Sequence, residues 1–127
     1  LLSRGDKHEG VAGTIVYGPA RDTDESIEKD YPVFARSTVS STARGRIVEH
    51  AWNVSVVIGR VNVEPGDLVV ADSSGVVFIP KSHEAEVVAK AEEIASKEAA
   101  MAEAVRSGKP VSQVMGGDYE KMLVSGD

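Results

Sequence analysis

The sequence predicts a single α/β domain over residues 1–127, with a mixed sheet first and helices last. Three observations carry this. Val11 to Tyr17 is a β-branched run between Gly10 and Gly18, the pattern of a strand covered on both faces. From Arg46 to Ile79, short apolar segments alternate with turn residues. After Pro80, an Ala- and Glu-rich stretch runs to Ser107 and meets Gly108 and Pro110, the stop signal of a long helix. A chain of 127 residues buries enough surface for one such domain and too little for two.

Gly18-Pro19 punctuates the first strand, and Thr23 or Asp24 is placed to cap a short helix through Ile27 and Glu28. Tyr31 to Arg36 (YPVFAR) reads as a second strand with Pro32 near its start. Ser37 to Gly45 is a polar loop rich in Ser, Thr and Gly. Ile47-Val48, Val54 to Ile58, Val61 to Val63, Leu68 to Ala71 and Val76 to Ile79 read as the strands of an antiparallel meander. Their turns are Ile58-Gly59-Arg60, Glu64-Pro65-Gly66-Asp67 and Asp72-Ser73-Ser74-Gly75. Ser82 is placed to cap the long helix, and a shorter helix is expected over Val111 to Leu123, interrupted or ended near Gly116-Gly117. No fixed period recurs, which excludes a solenoid.

Composition removes several function classes. The net charge of −6 argues against a phosphate-backbone partner. The absence of cysteine excludes thiol chemistry, disulfides and zinc–thiolate sites. The apolar runs are strand-sized, so none spans a bilayer. Leu1 to Gly10 carries Arg4, Asp6, Lys7, His8 and Glu9, unlike a secretory leader; a cytoplasmic protein is expected. The chain enters an apolar strand within ten residues of Leu1, with no initiating methionine. The expectation is that a segment of the domain precedes it.

Arg21-Asp22 follows the first strand and its Gly-Pro corner. In open α/β sheets, ligands bind beyond the carboxyl ends of strands, where exposed loops stand on a rigid scaffold. Arg21 offers a planar fork for a carboxylate, and Asp22 a hard oxygen for Mg²⁺ or Mn²⁺. The bland alternative is an Asp capping the next helix beside a solvated Arg. Along the long helix, Val87, Ala91, Ile94, Glu98, Met101 and Val105 form one seam, with Glu98 in its middle as an acid, base or water-binder, or at a wet subunit junction. A helix rotated toward Val88, Ala95 and Ala102 instead leaves Glu98 at the rim. One of the two stripes would cover the helix's own sheet and leave the other for a partner. His8, His50 and His83 lack mutual metal spacing. Ser40-Ser41-Thr42 lacks the context of a nucleophile, and Gly116-Gly117 has no phosphate-loop pattern. Arg36, Arg44 and Arg46 surround the polar loop as an anion site or, in the preferred reading, as solvated surface residues.

GVAGTIVYGPARD, YPVFAR, VEPGDLVVADSSGVVFIP and a helix containing AEEIASKEAAM together resemble the RraA-like family. It includes class II 4-hydroxy-4-methyl-2-oxoglutarate / 4-carboxy-4-hydroxy-2-oxoadipate aldolases and the regulator of ribonuclease activity A. The resemblance runs in order over essentially the whole chain. It implies a swivelling β/β/α domain, assembled as a trimer or a pair of trimers with sites between subunits. It places Arg21 on the keto-acid end of the substrate and Asp22 on Mg²⁺ or Mn²⁺. A glutamate of the neighbouring subunit then serves the water network, Glu98 first and Glu93 second. Regulator-type members tend to replace that aspartate with an uncharged residue, so its presence favours the metal-dependent branch. The implied activity is a lyase that cleaves a 4-hydroxy-2-keto diacid to pyruvate, with oxaloacetate decarboxylation alongside. A ribonuclease-regulator-like binding module and a sugar-acid lyase or hydratase are the alternatives. Family members carry a further preceding segment with a Gly-rich loop and acidic residues for the same pocket, and the resemblance places that segment ahead of Leu1.

Overall fold

A computed structural model describes residues 10–116. The chain divides into two compact units, Leu1–Pro80 and Lys81–Asp127.

The first unit begins with β1 (Thr14–Ala20), α1 (Thr23–Glu28) and β2 (Val33–Thr38). The two strands pair in parallel, from Thr14 opposite Val33 to Ala20 opposite Thr38. Contrary to the sequence expectation, β1 runs through Gly18-Pro19. A bulge makes this possible: Val16 faces Ala35 and Pro19 faces Ser37, so Tyr17 and Gly18 together oppose Arg36. Proline lacks an N–H and is tolerated in a ladder at such an irregularity. The bulge also accompanies a contact between Tyr17 and Arg36, whose guanidinium carbon stands 5.1 Å from the ring centroid.

The connection between these strands is anchored at Ser26 and Tyr31, both buried. Ser26 donates from N and from Oγ to the Asp22 carbonyl, each at 3.3 Å, while its own carbonyl accepts from Tyr31 N at 2.9 Å. Tyr31 is 4% exposed, and its hydroxyl lies 2.6 Å from Thr14 Oγ1 at the start of β1. The crossover is thus tied to the sheet at both ends.

The expected meander is instead two separate hairpins. β3 (Val56–Ile58) pairs with β4 (Val61–Val63), and β5 (Leu68–Asp72) with β6 (Gly75–Ile79), each as its own antiparallel sheet. The turn between β4 and β5 explains the break. Asp67 N donates to the Glu64 carbonyl at 3.1 Å, with Pro65 at the first corner and Gly66 at a φ of 95° at the second, the arrangement of a type II turn. Such turns splay the flanking strands instead of pairing them. Between β5 and β6, Asp72 Oδ1 accepts from Ser74 N and Gly75 N at 2.7 and 3.3 Å and closes the turn. Ile47-Val48 is no strand either. Arg46 N and Ile47 N both donate to the Ala43 carbonyl, at 2.9 and 3.2 Å, so a local turn consumes donors that a ladder needs. Ile79 of β6 and Tyr31 are the buried hydrophobic residues among those described. Val56, Val57, Val69, Val70 and Val77 stay exposed on the hairpins.

The second unit opens with a 3₁₀ turn, Lys81–His83, then α2 (Glu84–Arg106) and α3 (Val111–Val114). The 3₁₀ turn moves the start of α2 past Ser82, and His83 stands at the N-cap without a side-chain bond. The helix ends in a Schellman motif. Lys109 N reaches the Ala104 carbonyl at 3.1 Å and Gly108 N the Val105 carbonyl at 2.9 Å, and Gly108 takes the φ of 96° that this ending requires. Neither expected seam is buried. Val88, Ile94, Met101 and Ala104 are half-buried, whereas Val87, Glu98 and Val105 are exposed; a helix this rich in alanine has no strongly apolar face to impose one orientation. The shorter helix ends at Val114, with Met115 as its C-cap, close to the end or interruption expected near Gly116-Gly117; residues 117–127, like His8, lie outside the described residues.

Glu93 accepts from Lys97 at 2.5 Å and from Lys90 at 3.1 Å. The hydrogen bond from Lys97, then that from Lys90, holds its carboxyl below glutamate's ordinary value of 4.5. A depressed carboxyl stabilises the folded helix above its unfolded pKa and loses that effect as pH falls through the folded one.

Two outcomes follow. Tyr31→Phe removes the Thr14 contact and is expected to lower unfolding free energy by about 0.5–1.5 kcal/mol, and Tyr31→Ala by about 3–5 kcal/mol, both read from urea denaturation. In a carboxyl ¹³C titration, the Glu93 midpoint is expected below 4.5, moving upward in Lys97→Ala; a midpoint unmoved by that substitution counts against the assigned cause.

Candidate functional site

Parallel pairing brings the carboxyl ends of β1 and β2 to one edge of the first unit. Ala20 lies opposite Thr38, and Val39 N donates to the Ala20 carbonyl at 2.9 Å. Arg21-Asp22 therefore emerges beside the loop that follows β2, as expected for a ligand site in an α/β sheet.

Asp22 occupies the N-cap position of α1 in the left-handed region, at φ 58° and ψ 37°. Aspartate is among the few residues that visit this region, and here the two hydrogen bonds that Ser26 donates to its carbonyl hold it. The side chain makes no cap, so the anticipated capping role is absent. Both carboxylate oxygens instead lie 3.2 Å from Arg21 Nε. The side chains are 46% and 51% exposed, so this ion pair contributes at most about 1 kcal/mol and opens easily. Among the described residues Arg21 is engaged through Nε alone, and its terminal amino groups suit an incoming anion.

A cleft of about 520 Å³ lies at this edge, within the roughly 300–1,000 Å³ range of small-molecule sites. Val16, Tyr17, Pro19, Val39 and Ile47 form its apolar walls, and Arg21, Ser41, Thr42 and Arg46 supply polar groups. Asp22 is outside that lining and connects to it through Arg21. Sequence reasoning left Arg46 on the surface. Its distance from Arg21 along the chain hides a proximity that only the strand pairing creates. A second cleft of about 590 Å³, bounded by the β1–β2 face and the hairpins, has mostly apolar walls.

Among the described residues, no group of three or more His, Asp or Glu side chains is arranged to hold a metal. A single exposed carboxylate at Asp22 still suits Mg²⁺ or Mn²⁺, which take most ligands from water and substrate. His50 stands in an exposed loop, and His83 lies 3.8 Å from Glu86. On α2, Glu93 is occupied by Lys90 and Lys97, whereas Glu98 is exposed and has no ion-pair partner among the described residues. No helix of the described residues is long and apolar enough to cross a membrane.

The chain is similar to several known proteins. It is 30% identical over 113 residues to the protein DlpA of Legionella pneumophila, covering 89% of this chain and 18% of that protein. It is 38% identical over 82 residues to a Halalkalibacterium halodurans protein provisionally named a 4-hydroxy-4-methyl-2-oxoglutarate aldolase, covering 65% of this chain and 39% of that one. A crystal structure of an uncharacterized protein from Pseudomonas syringae pv. tomato superposes with a TM-score of 0.83 at 35% identity, over 89% of this chain and 53% of that one. The chain thus spans about half the length of the solved relative and less of the two curated ones. The family profile described as RraA-like, Aldolase/RraA, matches residues 1–78, the stretch that holds β1, β2, the Arg21-Asp22 pair and both hairpins short of Ile79, the last residue of β6. With that profile matched over more than half its length and a solved relative of the same fold, the chain belongs to the RraA-like family.

Proposed function

We propose that the protein is a divalent-metal-dependent lyase that cleaves a 4-hydroxy-2-keto diacid to pyruvate. Oxaloacetate decarboxylation is the accompanying activity, because both reactions pass through the enolate of pyruvate. One observation carries the reading: Arg21 lines a small-molecule-sized cleft at the carboxyl ends of two parallel strands while its Nε holds the Asp22 carboxylate. The relatives provisionally named aldolases support the same reaction class.

Arg21 binds the carboxylate beside the ketone through its free amino groups and orients the substrate. Removal of the C4 hydroxyl proton starts the reaction. The C3–C4 bond breaks, C4 becomes a carbonyl, and the electron pair moves onto the C2 oxygen as the pyruvate enolate; protonation at C3 releases pyruvate. Guanidinium charge beside that oxygen favours the enolate over the ground state. Asp22 is the carboxylate that would hold Mg²⁺ or Mn²⁺, and that ion, when bound, supplies a Lewis acid for the developing negative charge. The C4 proton passes to a water held by carboxylates, with Glu98 of a second copy as the glutamate of that network. The freedom of the Glu98 side chain, against the paired state of Glu93, favours this choice. A homo-oligomer, a trimer or a pair of trimers, belongs to the same proposal.

The test is pyruvate release from oxaloacetate by the intact protein with Mg²⁺, then with excess EDTA, which is expected to abolish it. Arg21→Ala is expected to lower kcat by about 10²–10³. Asp22→Asn keeps a residue tolerant of the left-handed backbone and is expected to lose metal-dependent turnover while melting like the parent. Wild-type turnover in Asp22→Asn, or release indifferent to EDTA, would sink the reading.

A further inference from the structure

The three arginines around the loop after β2 have different surroundings. Arg36 stands over the Tyr17 ring, 5.1 Å from its centroid, and Arg44 is absent from the walls of the 520 Å³ cleft. Arg46 lines that cleft together with Arg21. The turn at Ala43 positions it, since Arg46 N and Ile47 N share the Ala43 carbonyl at 2.9 and 3.2 Å. Among the described residues, its guanidinium has no carboxylate partner. Among the described residues, no acidic side chain lines the cleft. A protein of net charge −6 therefore gathers two cations, Arg21 and Arg46, with the hydroxyl-bearing residues Tyr17, Ser41 and Thr42, on one small cavity. Local concentration of one sign against the overall charge draws in an anion with more than one negative group.

We infer that Arg46 is a specificity-determining residue that binds the second carboxylate of a 2-keto dicarboxylic acid whose first carboxylate lies on Arg21. This rests on the keto-acid reading of the cleft and adds to it a residue that separates diacids from monoacids. Arg21 grips the group common to both. Arg46, which arrives from the other strand's loop, meets only the longer ligand. Its planar fork and permanent charge suit a carboxylate in a cavity with apolar sides.

Calorimetric titration of the intact, Mg²⁺-loaded protein with pyruvate and with 2-oxoglutarate tests this. In Arg46→Gln, 2-oxoglutarate is expected to weaken about 10- to 100-fold, the range of one charge-assisted hydrogen bond, while pyruvate stays within about twofold. Arg46→Lys is expected to retain part of the preference, and Arg21→Gln to weaken both probes. Unchanged thermal melting of the Arg46 variants excludes a general loss of fold. If 2-oxoglutarate binds Arg46→Gln as it binds wild type, or if both probes weaken alike, the role of Arg46 is overturned and the keto-acid reading stands. If wild type binds neither probe, the keto-acid reading falls and this assignment with it.

Discussion

Two parallel strands cannot be joined by a tight turn, so the chain leaving β1 must travel back the full length of the strand before β2 begins. The route it takes decides where Arg21 and Asp22 stand. The crossover is short, one six-residue helix and its flanks, and it is held by few contacts. Ser26 grips the Asp22 carbonyl, its own carbonyl accepts from Tyr31 N, and the Tyr31 hydroxyl returns to Thr14. These bonds run from the first residue of β1 around to Asp22, two residues past its end. The left-handed backbone at Asp22 persists because this closed circuit fixes it from the helix side.

The same circuit separates what a carboxylate can do locally from what it is left free to do. An aspartate at an N-cap ordinarily spends its oxygens on the first amides of the helix. Here the backbone supplies the helix's first bond through a carbonyl, and the carboxylate turns to the preceding guanidinium. The pair is exposed and weak; under the proposed function each group exchanges the other for a ligand.

Much of the first unit was legible in the sequence because its signals are local. The turn residues at Pro65-Gly66 and Asp72 to Gly75 act within a few positions, and the stop at Gly108 belongs to one helix end. The position of Arg21-Asp22 just past the first strand was legible for the same reason, as two charges at the end of an apolar run. The bulge was not, since Gly18-Pro19 punctuates a chain and relieves a ladder with the same two residues, and only the partner strand distinguishes the uses. The two-hairpin arrangement was hidden because strand propensity states that a segment is extended without stating its neighbour. The place of Arg46 in the cleft wall was hidden because the loop of one strand there meets the end of another. Glu98 was placed on a seam by a periodicity that alanine satisfies on almost any face.

The bulge at Tyr17-Gly18 has a consequence for how this segment can vary. Side chains in a strand alternate between faces, so one extra residue in β1 exchanges the faces for everything downstream of it relative to β2. The orientation with which Arg21 leaves the sheet is therefore a matter of counting as much as of chemistry. Many substitutions along β1 preserve the count, whereas the loss or gain of one residue between Val16 and Pro19 reverses it. In this stretch the length of the chain is itself part of the site.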